Sequence, residues 1–232
     1  MDASKVAGLN CLRLMPDNLA SAVQYGIYKT DLPEKEPINV MFVDMGESNT
    51  SVSVVQYVKG KLKVLAHGYD ADLGGRDFDN VLVEHFIKEF KDKYKIDVNT
   101  NARALVRLQV ACEKMKKVLN TVAEAHLNIE CFMNDIDVKG YLKKSQYDEM
   151  CEPLLKRLEE VIKNTLNASG VSLAQLTAAE TIGGGSRLST VLNKLQQIVG
   201  SQILSQTLNR EEAIARACAI QVNKKKKTQQ HK

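Results

Sequence analysis

The stretch "FVDMGESNTSVSVV" at residues 42–55 decides the fold, because it predicts a buried strand, a tight turn at Gly46 and a second strand. A turn of this kind can hold a nucleotide phosphate, and Asp44 stands where a carboxylate can bind Mg²⁺ through water. Glu47, however, brings a carboxylate to a place where a phosphate requires free N–H groups. The stretch is therefore a working phosphate loop, a loop that has lost this task, or an ordinary hairpin.

A β-meander extends outward from this stretch. Apolar residues fill both faces of its first strand, and Lys59-Gly60 is a two-residue hairpin signal between the next two strands. A shorter strand and a helix that begins at a proline come before the meander. The predicted segments are a strand "CLRLM" at 11–15, a helix at 16–28, and strands at 40–46, 51–58 and 61–69.

Helices dominate the second half of the chain. From Asp77, aromatic and apolar residues recur every four positions, and a second apolar stripe runs from Leu105 to Leu119. Each pattern predicts a helix with one buried face, so the chain as a whole is of the α/β class. The remaining predicted segments are two strands within 126–142, a helix at 145–170, a strand at 176–182, a helix through 191–198 and a helix after Asn209.

Length and charge bound the class of protein. The 232 residues are 44% hydrophobic, which is enough for one large folded domain or two small ones. Lysine and arginine outnumber aspartate and glutamate by 32 to 28, and four of the lysines stand together at 224–227. Because the rest of the chain is close to neutral and only 5% of it is aromatic, we expect a solvated basic tail and no nucleic-acid partner.

The cysteines and histidines indicate a reducing compartment and no zinc site. The five cysteines are odd in number, widely spaced and outside any C-x-x-C pattern, and the four histidines are equally scattered. No apolar run approaches the roughly 18 residues that span a bilayer, and the N-terminal residues lack a signal-peptide core. We therefore expect a soluble protein with no membrane partner. The expected compartment is the cytoplasm, and the same features also allow the nucleus.

Two further glycine-rich turns are candidate ligand sites. In "TIGGGSR" at 181–187, three glycines between a strand and a helix let the backbone approach a ligand, and Arg187 could stack on a purine. A flexible strand-to-helix turn explains the same residues equally well, because neither common nucleotide-binding glycine pattern is present. The stretch "LGGRDFD" at 73–79 is either a phosphate-facing turn or a plain helix boundary. We recognise no motif for an acid, a base or a nucleophile.

Seven motifs in one order give the sequence a family resemblance. They are "AGLNCLRLM", "YGIYKTDLPE", "FVDMG", "LGGRDFD", "ACEKMKKVLN", "IGGGSR" and "LNREEAIARACAIQ". Together they resemble the second half of the nucleotide-binding domain of the seventy-kilodalton heat-shock (DnaK-type) chaperones, from about Val6 to Gln221. "KTDLPE", "KLKVL" and "CFMNDIDV" are most similar to the large, hundred-and-ten-kilodalton branch, which acts in protein folding as nucleotide exchange factor for its smaller relative.

The resemblance implies a fold, a division of the chain and a set of ligand-binding residues. The fold would be the second lobe of an actin-like (ribonuclease H-like) ATPase, with an outer α+β helical subdomain. The inner subdomain would comprise residues 1–74 and 169–222, the outer one residues 75–168, and a basic disordered tail residues 223–232. The residues that would bind ATP or ADP with Mg²⁺ are Asp44, which would hold the ion through water, Gly46, Gly74, Gly75, Glu113, Lys116, Lys117, Asn120, Gly183, Gly184, Gly185, Ser186, Arg187 and Glu211.

Two departures from the family pattern limit the activity that we expect. The family's phosphate loop is D-x-G-G-G-T, whereas Glu47, Ser48 and Asn49 here replace two glycines and the threonine. Nothing in the chain resembles the family's first lobe, so the chain would supply half of a nucleotide cleft. If the other half contributes ~4 kcal/mol, its loss weakens binding roughly a thousandfold. We therefore expect weak or absent nucleotide binding and no ATPase activity from this chain alone.

Two functions follow from the resemblance. The first is a binding and regulatory module, a co-chaperone or nucleotide exchange factor that contacts a smaller-branch heat-shock chaperone through its helical subdomain. The second is part of an active chaperone ATPase whose first lobe is missing from this chain. In either case unfolded protein would be bound only through regions that this sequence does not contain.

Overall fold

The computed structural model of the protein describes the backbone of residues 1–230 and the side chains of residues 1–222, and it contains two β-sheets with helices packed on them. The helices are α1 (Asp2–Val6), α2 (Asp17–Tyr28), α3 (Gly75–Tyr94), α4 (Ala102–Leu119), α5 (Lys144–Ser169), α6 (Ser189–Val199) and α7 (Ala213–Gln230). The strands are β1 (Ile38–Met45), β2 (Thr50–Val58), β3 (Lys61–Asp70), β4 (Glu124–Met133), β5 (Ile136–Lys143), β6 (Leu176–Ile182) and β7 (Leu204–Ser205).

The larger sheet has the strand order β3-β2-β1-β6-β7. The predicted meander forms its first three strands, and the Lys59-Gly60 turn joins β2 to β3. β6 then pairs with the other edge of β1 in parallel, so that Asp44 lies opposite Ile182. The central position of β1 explains its continuous apolar run, because both of its faces are covered.

Apolar side chains pack on both faces of this sheet. On one face, Phe42 of β1 belongs to a buried cluster with Tyr25 of α2 and Ala213 of α7. On the other face, Met41 and Val43 join a larger cluster that includes residues of α3, α4, α5 and α6. Because successive residues of a strand point to opposite faces, a single strand supplies both clusters.

The smaller sheet consists of β4 and β5 and packs against α3 and α4. Phe90 of α3 and Phe132 of β4 are in edge-to-face contact, with their ring centroids 5.8 Å apart. Both residues belong to the same buried cluster as Met41 of the larger sheet. The two sheets therefore share one continuous apolar core.

The longest helix, α5, runs across the larger sheet. Arg157 of α5 donates two hydrogen bonds to the carboxylate of Asp70 at the end of β3, at 3.0 and 2.7 Å. The helix ends at Gly170, which has a φ of 69° in the left-handed region that favours glycine. Among the described residues, no helix is long and apolar enough to cross a membrane.

Two segments differ from the sequence prediction. Residues 11–15 belong to neither sheet, and Leu9 and Leu14 beside and within them are exposed, because an alternating pattern makes a strand only where a sheet edge lies alongside. The backbone of residues 223–230, predicted to be a disordered tail, instead continues α7, since lysine and glutamine favour helices. Residues 231–232 of that tail lie outside the described residues.

Candidate nucleotide site

The ends of two parallel strands bring the predicted site together. β1 ends at Met45 and β6 at Ile182, so the turn after Asp44 and the turn that begins at Gly183 meet at one edge of the sheet. In open α/β sheets, ligands bind at such an edge, outside the carboxyl ends of the strands. Two stretches that are far apart in the sequence, at residues 44–46 and 183–187, therefore form one surface.

Glycine is required where the two turns touch. Gly183 has a φ of 81°, and a Cβ on it would lie 2.2 Å from the carbonyl oxygen of Met45. Gly185 packs in the same way against the carbonyl oxygen of Gly46. Gly184 is different, because a Cβ on it would meet no atom within 4 Å. The outer glycines therefore serve the packing of the two turns, while the middle one borders open space.

The "LGGRDFD" stretch is the N-terminal boundary of α3. The N–H of Gly75 donates to the carbonyl of Gly46 at 2.9 Å, and the N–H of Arg76 donates to the carbonyl of Glu47 at 2.8 Å. The N–H of Gly74 donates to the carboxylate of Asp77 at 2.8 Å. These three amides are therefore already bonded within the chain, which favours the boundary over the phosphate-facing turn.

Asn120 connects α4 to the glycine-rich turn. Its side-chain oxygen accepts a hydrogen bond from the N–H of Ser189 at 2.6 Å, and its side-chain nitrogen donates to the carbonyl of Arg187 at 3.4 Å. Ser186 is fully buried and donates to the carbonyl of Gly183 at 2.8 Å. The C-terminal end of α4 and the 183–187 turn are therefore in contact, and together they form the surface, called the groove below, that the resemblance assigns to adenosine.

Arg187 stands at the open side of this groove. Its side chain is 53% exposed, and its guanidinium lies 2.9 Å from the carboxylate of Glu211. Glu211 itself follows Asn209, whose side chain accepts hydrogen bonds from the N–H groups of residues 211 and 212. The arrangement holds a flat guanidinium beside the turn, where it can stack on a base.

The two lysines of α4 have different environments. Lys116 is only 7% exposed, and its ammonium donates to the carbonyl of Gly75 at 2.9 Å and to the carboxylate of Asp79 at 2.7 Å. Lys117 is exposed and pairs with Glu113, whose pKa it lowers. Lys116 therefore holds α4 against the start of α3, whereas Lys117 and Glu113 remain on the surface.

Asp44 is a partly buried carboxylate at the end of β1. Burial, and then the negative charge of Asp17, raises its pKa to about 6. It forms no ion pair with any described residue, and within the described part of the chain no three acidic, histidine or cysteine side chains could together hold a metal. A magnesium ion bound mainly by phosphates needs one or two protein carboxylates, so Asp44 fits such an ion through water.

Sequence reasoning missed two residues that support the site. The carboxylate of Asp79, which is 37 residues away in the chain, accepts a hydrogen bond from Lys116. The backbone carbonyl of Arg210 accepts a hydrogen bond from the N–H of Gly183 at 3.0 Å. Burial, and then the nearby charge of Arg187, lowers the pKa of the Arg210 side chain. Contacts between distant segments leave no periodic pattern, so only the three-dimensional arrangement shows them.

Two cavities of the molecule lie away from this groove. One of about 300 Å³ lies between residues 10–15 and residues 218–222 of α7. Another of about 510 Å³ lies beside Tyr25, Glu180 and Thr207 on the α2 side of the sheet. Neither of these two cavities is lined by a residue of the predicted nucleotide site.

Comparison with known proteins identifies the family. A family model described as "Hsp70 protein" matches residues 1–231. The chain belongs to the Hsp70 family. It is 50% identical over 224 residues to "Heat shock 70 kDa protein 4" of Rattus norvegicus and 43% identical over 221 residues to "Heat shock 70 kDa protein 14" of Arabidopsis thaliana. Each alignment covers 95% of this chain and 26% of the relative, so the chain spans about a quarter of those Hsp70 proteins.

The family assignment confirms two predictions from the sequence. The resemblance to the heat-shock family is confirmed, including that to the large branch, to which Heat shock 70 kDa protein 4 belongs. The fold class is also confirmed, since the Hsp70 domain is an actin-like ATPase fold and the structure is mixed α/β. The chain corresponds to part of the nucleotide-binding region of the Hsp70 family, whose ATPase domain binds nucleotide with Mg²⁺. The individual site residues and the subdomain limits remain predictions.

Proposed function

We propose that this chain supplies one side of an adenine-nucleotide site in a regulatory chaperone of the Hsp70 family. The observation that carries the proposal is the pair of hydrogen bonds from Asn120 to the 187–189 segment, which joins α4 to the glycine-rich turn. These bonds build a groove from two of the motifs that the family resemblance assigns to adenosine. Membership of the family supports the nucleotide as its ligand.

Each wall of the groove has a separate task. Arg187 stacks on the base, and the exposed Glu113 and Lys117 of α4 bind the ribose hydroxyls. Gly184, which borders open space, lets the turn approach the ligand. The phosphates would then point toward Asp44, which would hold Mg²⁺ through water, and the ion would offset phosphate charge. Lys116 acts indirectly, by fixing α4 on α3.

We also propose that the role is regulatory rather than catalytic, as co-chaperone or nucleotide exchange factor for a smaller-branch heat-shock protein in the cytoplasm. Glu47 and the two polar residues after it support this role, because they replace two glycines and the threonine of the family's phosphate loop and place a carboxylate beside the amides of the turn. All five cysteines are free thiols, which suits a reducing compartment. The partner would contact the helical subdomain formed by α3, α4, α5 and the smaller sheet.

Calorimetric titration with Mg·ADP and Mg·ATP tests the ligand. Arg187→Ala removes the stacking group, and we expect it to abolish the heat of binding. Arg103→Ala is the matched control, because Arg103 is exposed at the opposite end of α4, about 25 Å from Asn120 at 1.5 Å per residue. Arg103→Ala should bind like the unmodified chain.

The outcomes separate the candidate functions. Binding that only Arg187→Ala abolishes supports the groove as the ligand site. An absence of heat at millimolar nucleotide refutes it and leaves the helical subdomain as the functional surface. Steady release of phosphate from Mg·ATP by the chain, abolished by Asp44→Asn, would instead support the rival function, an active ATPase.

A further inference from the structure

We propose that Glu47 determines ligand specificity at this site, so that in the absence of Mg²⁺ the chain binds the uncharged nucleoside adenosine more tightly than ADP, and ADP more tightly than ATP. The inference rests on the proposed function, because it concerns the same groove. It adds the chemical class of ligand that the groove accepts and the residue that selects it.

The cations of the site are already neutralised by neighbouring carboxylates. Each cationic side chain of the predicted set has an acidic partner within 3 Å, so none of these three cations is free to bind a phosphate. The pairs are Lys116 with Asp79 at 2.7 Å, Lys117 with Glu113 at 2.5 Å, and Arg187 with Glu211 at 2.9 Å.

Two carboxylates remain without a cation. Asp44 and Glu47 form no ion pair with any residue whose side chain the structure describes. The charges of two further neighbours of the site sum to zero. Arg210 adds a positive charge beside Arg187, and Asp17 adds a negative charge beside Asp44. Two unpaired carboxylates therefore lie at the phosphate end of the groove, away from Arg187, and the basic side chain at the first turn of α3, that of Arg76, is exposed.

The Glu47 carboxylate lies against the first turn of α3 at that end. One of its carboxylate oxygens lies 3.2 Å from the position that a Cβ on Gly75 would take, at the first turn of α3. Burial and, to a smaller extent, the charge of Glu47 raise the pKa of Asp79. The α3 amides nearest to it already bond the carbonyls of Gly46 and of Glu47 itself. A phosphate that arrived there would meet a carboxylate and no unbonded amide of Gly74, Gly75 or Arg76.

The expected discrimination is modest and depends on salt. Glu47 is exposed, so its repulsion of a phosphate acts largely through water. Two unit charges ~8 Å apart at an effective dielectric constant of ~40 repel by about 1 kcal/mol, which is about a fivefold change in affinity. At physiological ionic strength the Debye length is itself about 8 Å, so added salt weakens the repulsion. Adenosine carries no charge and is unaffected.

The test is a calorimetric comparison of adenosine, ADP and ATP in the presence of EDTA, at low and at high sodium chloride. Glu47→Gln removes the charge and keeps the shape of the side chain. Glu36→Gln is the matched control, because Glu36 is also exposed but precedes β1 at the end opposite Asp44. Thermal unfolding of each variant verifies that it is folded.

We expect the unmodified chain and Glu36→Gln to bind adenosine about fivefold to tenfold more tightly than ATP at low salt. Glu47→Gln should bring ATP to within about a factor of two of adenosine while leaving adenosine unchanged, and high salt should do the same without a substitution. Equal affinities for ATP and adenosine in the unmodified chain, or identical behaviour of the two variants, would overturn the inference and leave the proposed function intact. If none of the three ligands binds, the inference and the proposed function are both refuted.

Discussion

Among single residues, Asp44 carries an energetic cost in the folded chain. Its carboxyl group titrates with a pKa of about 6, above the ordinary value of 3.8, because burial and Asp17 disfavour the charged form. The protonated form is thus favoured in the fold, and stability falls as the pH rises from about 4 to above 6. Asp44→Asn should therefore raise the free energy of unfolding by about 2 kcal/mol at pH 7.5 and by almost nothing at pH 4.

Urea unfolding of both proteins at the two pH values measures this difference. Asp31→Asn, at an exposed carboxylate in the loop after α2, serves as the control and should change stability by less than about 0.5 kcal/mol at either pH. An Asp44→Asn variant that is less stable than the unmodified chain at pH 7.5 would show that the charged carboxylate is stabilised by contacts the structure does not reveal.

Single residues also show what the sequence could and could not predict. The motifs select the neighbourhood of the site, since the structure brings Asp44, Asn120 and the 183–187 turn together. They do not distinguish Lys116 from Lys117, because the difference arises from Asp79, which lies 37 residues from Lys116 and on another helix. The packing of α3 against α4 determines which of the two adjacent lysines is buried, and a local sequence pattern does not contain this information.

Among the structural elements, the turn after β6 has the strictest packing. A Cβ on Gly183 would lie 2.2 Å from the carbonyl oxygen of Met45, and the φ of 81° disfavours any L side chain. Gly183→Ala should therefore lower the free energy of unfolding by about 3 kcal/mol, from backbone strain together with displacement of the neighbouring turn. Urea unfolding curves measure the loss.

The adjacent glycine is the matched control for this substitution. Gly184 has a φ of −65° and a ψ of −35°, and a Cβ on it meets nothing within 4 Å. Gly184→Ala should leave stability unchanged or raise it by up to about 1 kcal/mol. Equal losses from the two substitutions would mean that the turn needs general flexibility rather than close contact at one position.

Elements differ in how well their sequences predict them. The meander and the helices α3 and α4 were predicted correctly, because each has a regular apolar period that matches its buried face. The segment 11–15 has a strand-like pattern as well, but it belongs to neither sheet of the described chain. A strand is completed by a neighbour, and a sequence pattern describes only one of the two partners.

At the scale of the whole molecule, one apolar core runs through both sheets. Met41 of β1 and Phe132 of β4 belong to the same buried cluster, which also includes residues of α5. Because such a core loses its packing as a unit, we expect the larger sheet and the β4–β5 hairpin to unfold in a single transition. Hydrogen exchange in low denaturant should give opening free energies for amides of β1 and β4 that agree within about 1 kcal/mol.

Exchange can be followed separately at residues 40–43 and 127–129, which lie within paired regions of the two sheets. Exposed amides at Glu34 and Lys35, in the loop before β1, provide the unprotected reference. If the β4–β5 amides open at a cost ~2 kcal/mol lower than those of β1, the helical subdomain is a separate folding unit despite the shared core.

The bonds from the first amides of α3 to the carbonyls of Gly46 and Glu47 also restrict how this protein could be redesigned. Replacing Glu47, Ser48 and Asn49 by glycine and threonine would recreate the letters of a family phosphate loop. The peptide planes would still direct their oxygens at α3, so the helix end would stay closed to an anion. A tight triphosphate binder made from this lobe needs a different backbone path between β1 and β2, and a library that varies loop length there would reach it sooner than one that varies side chains alone.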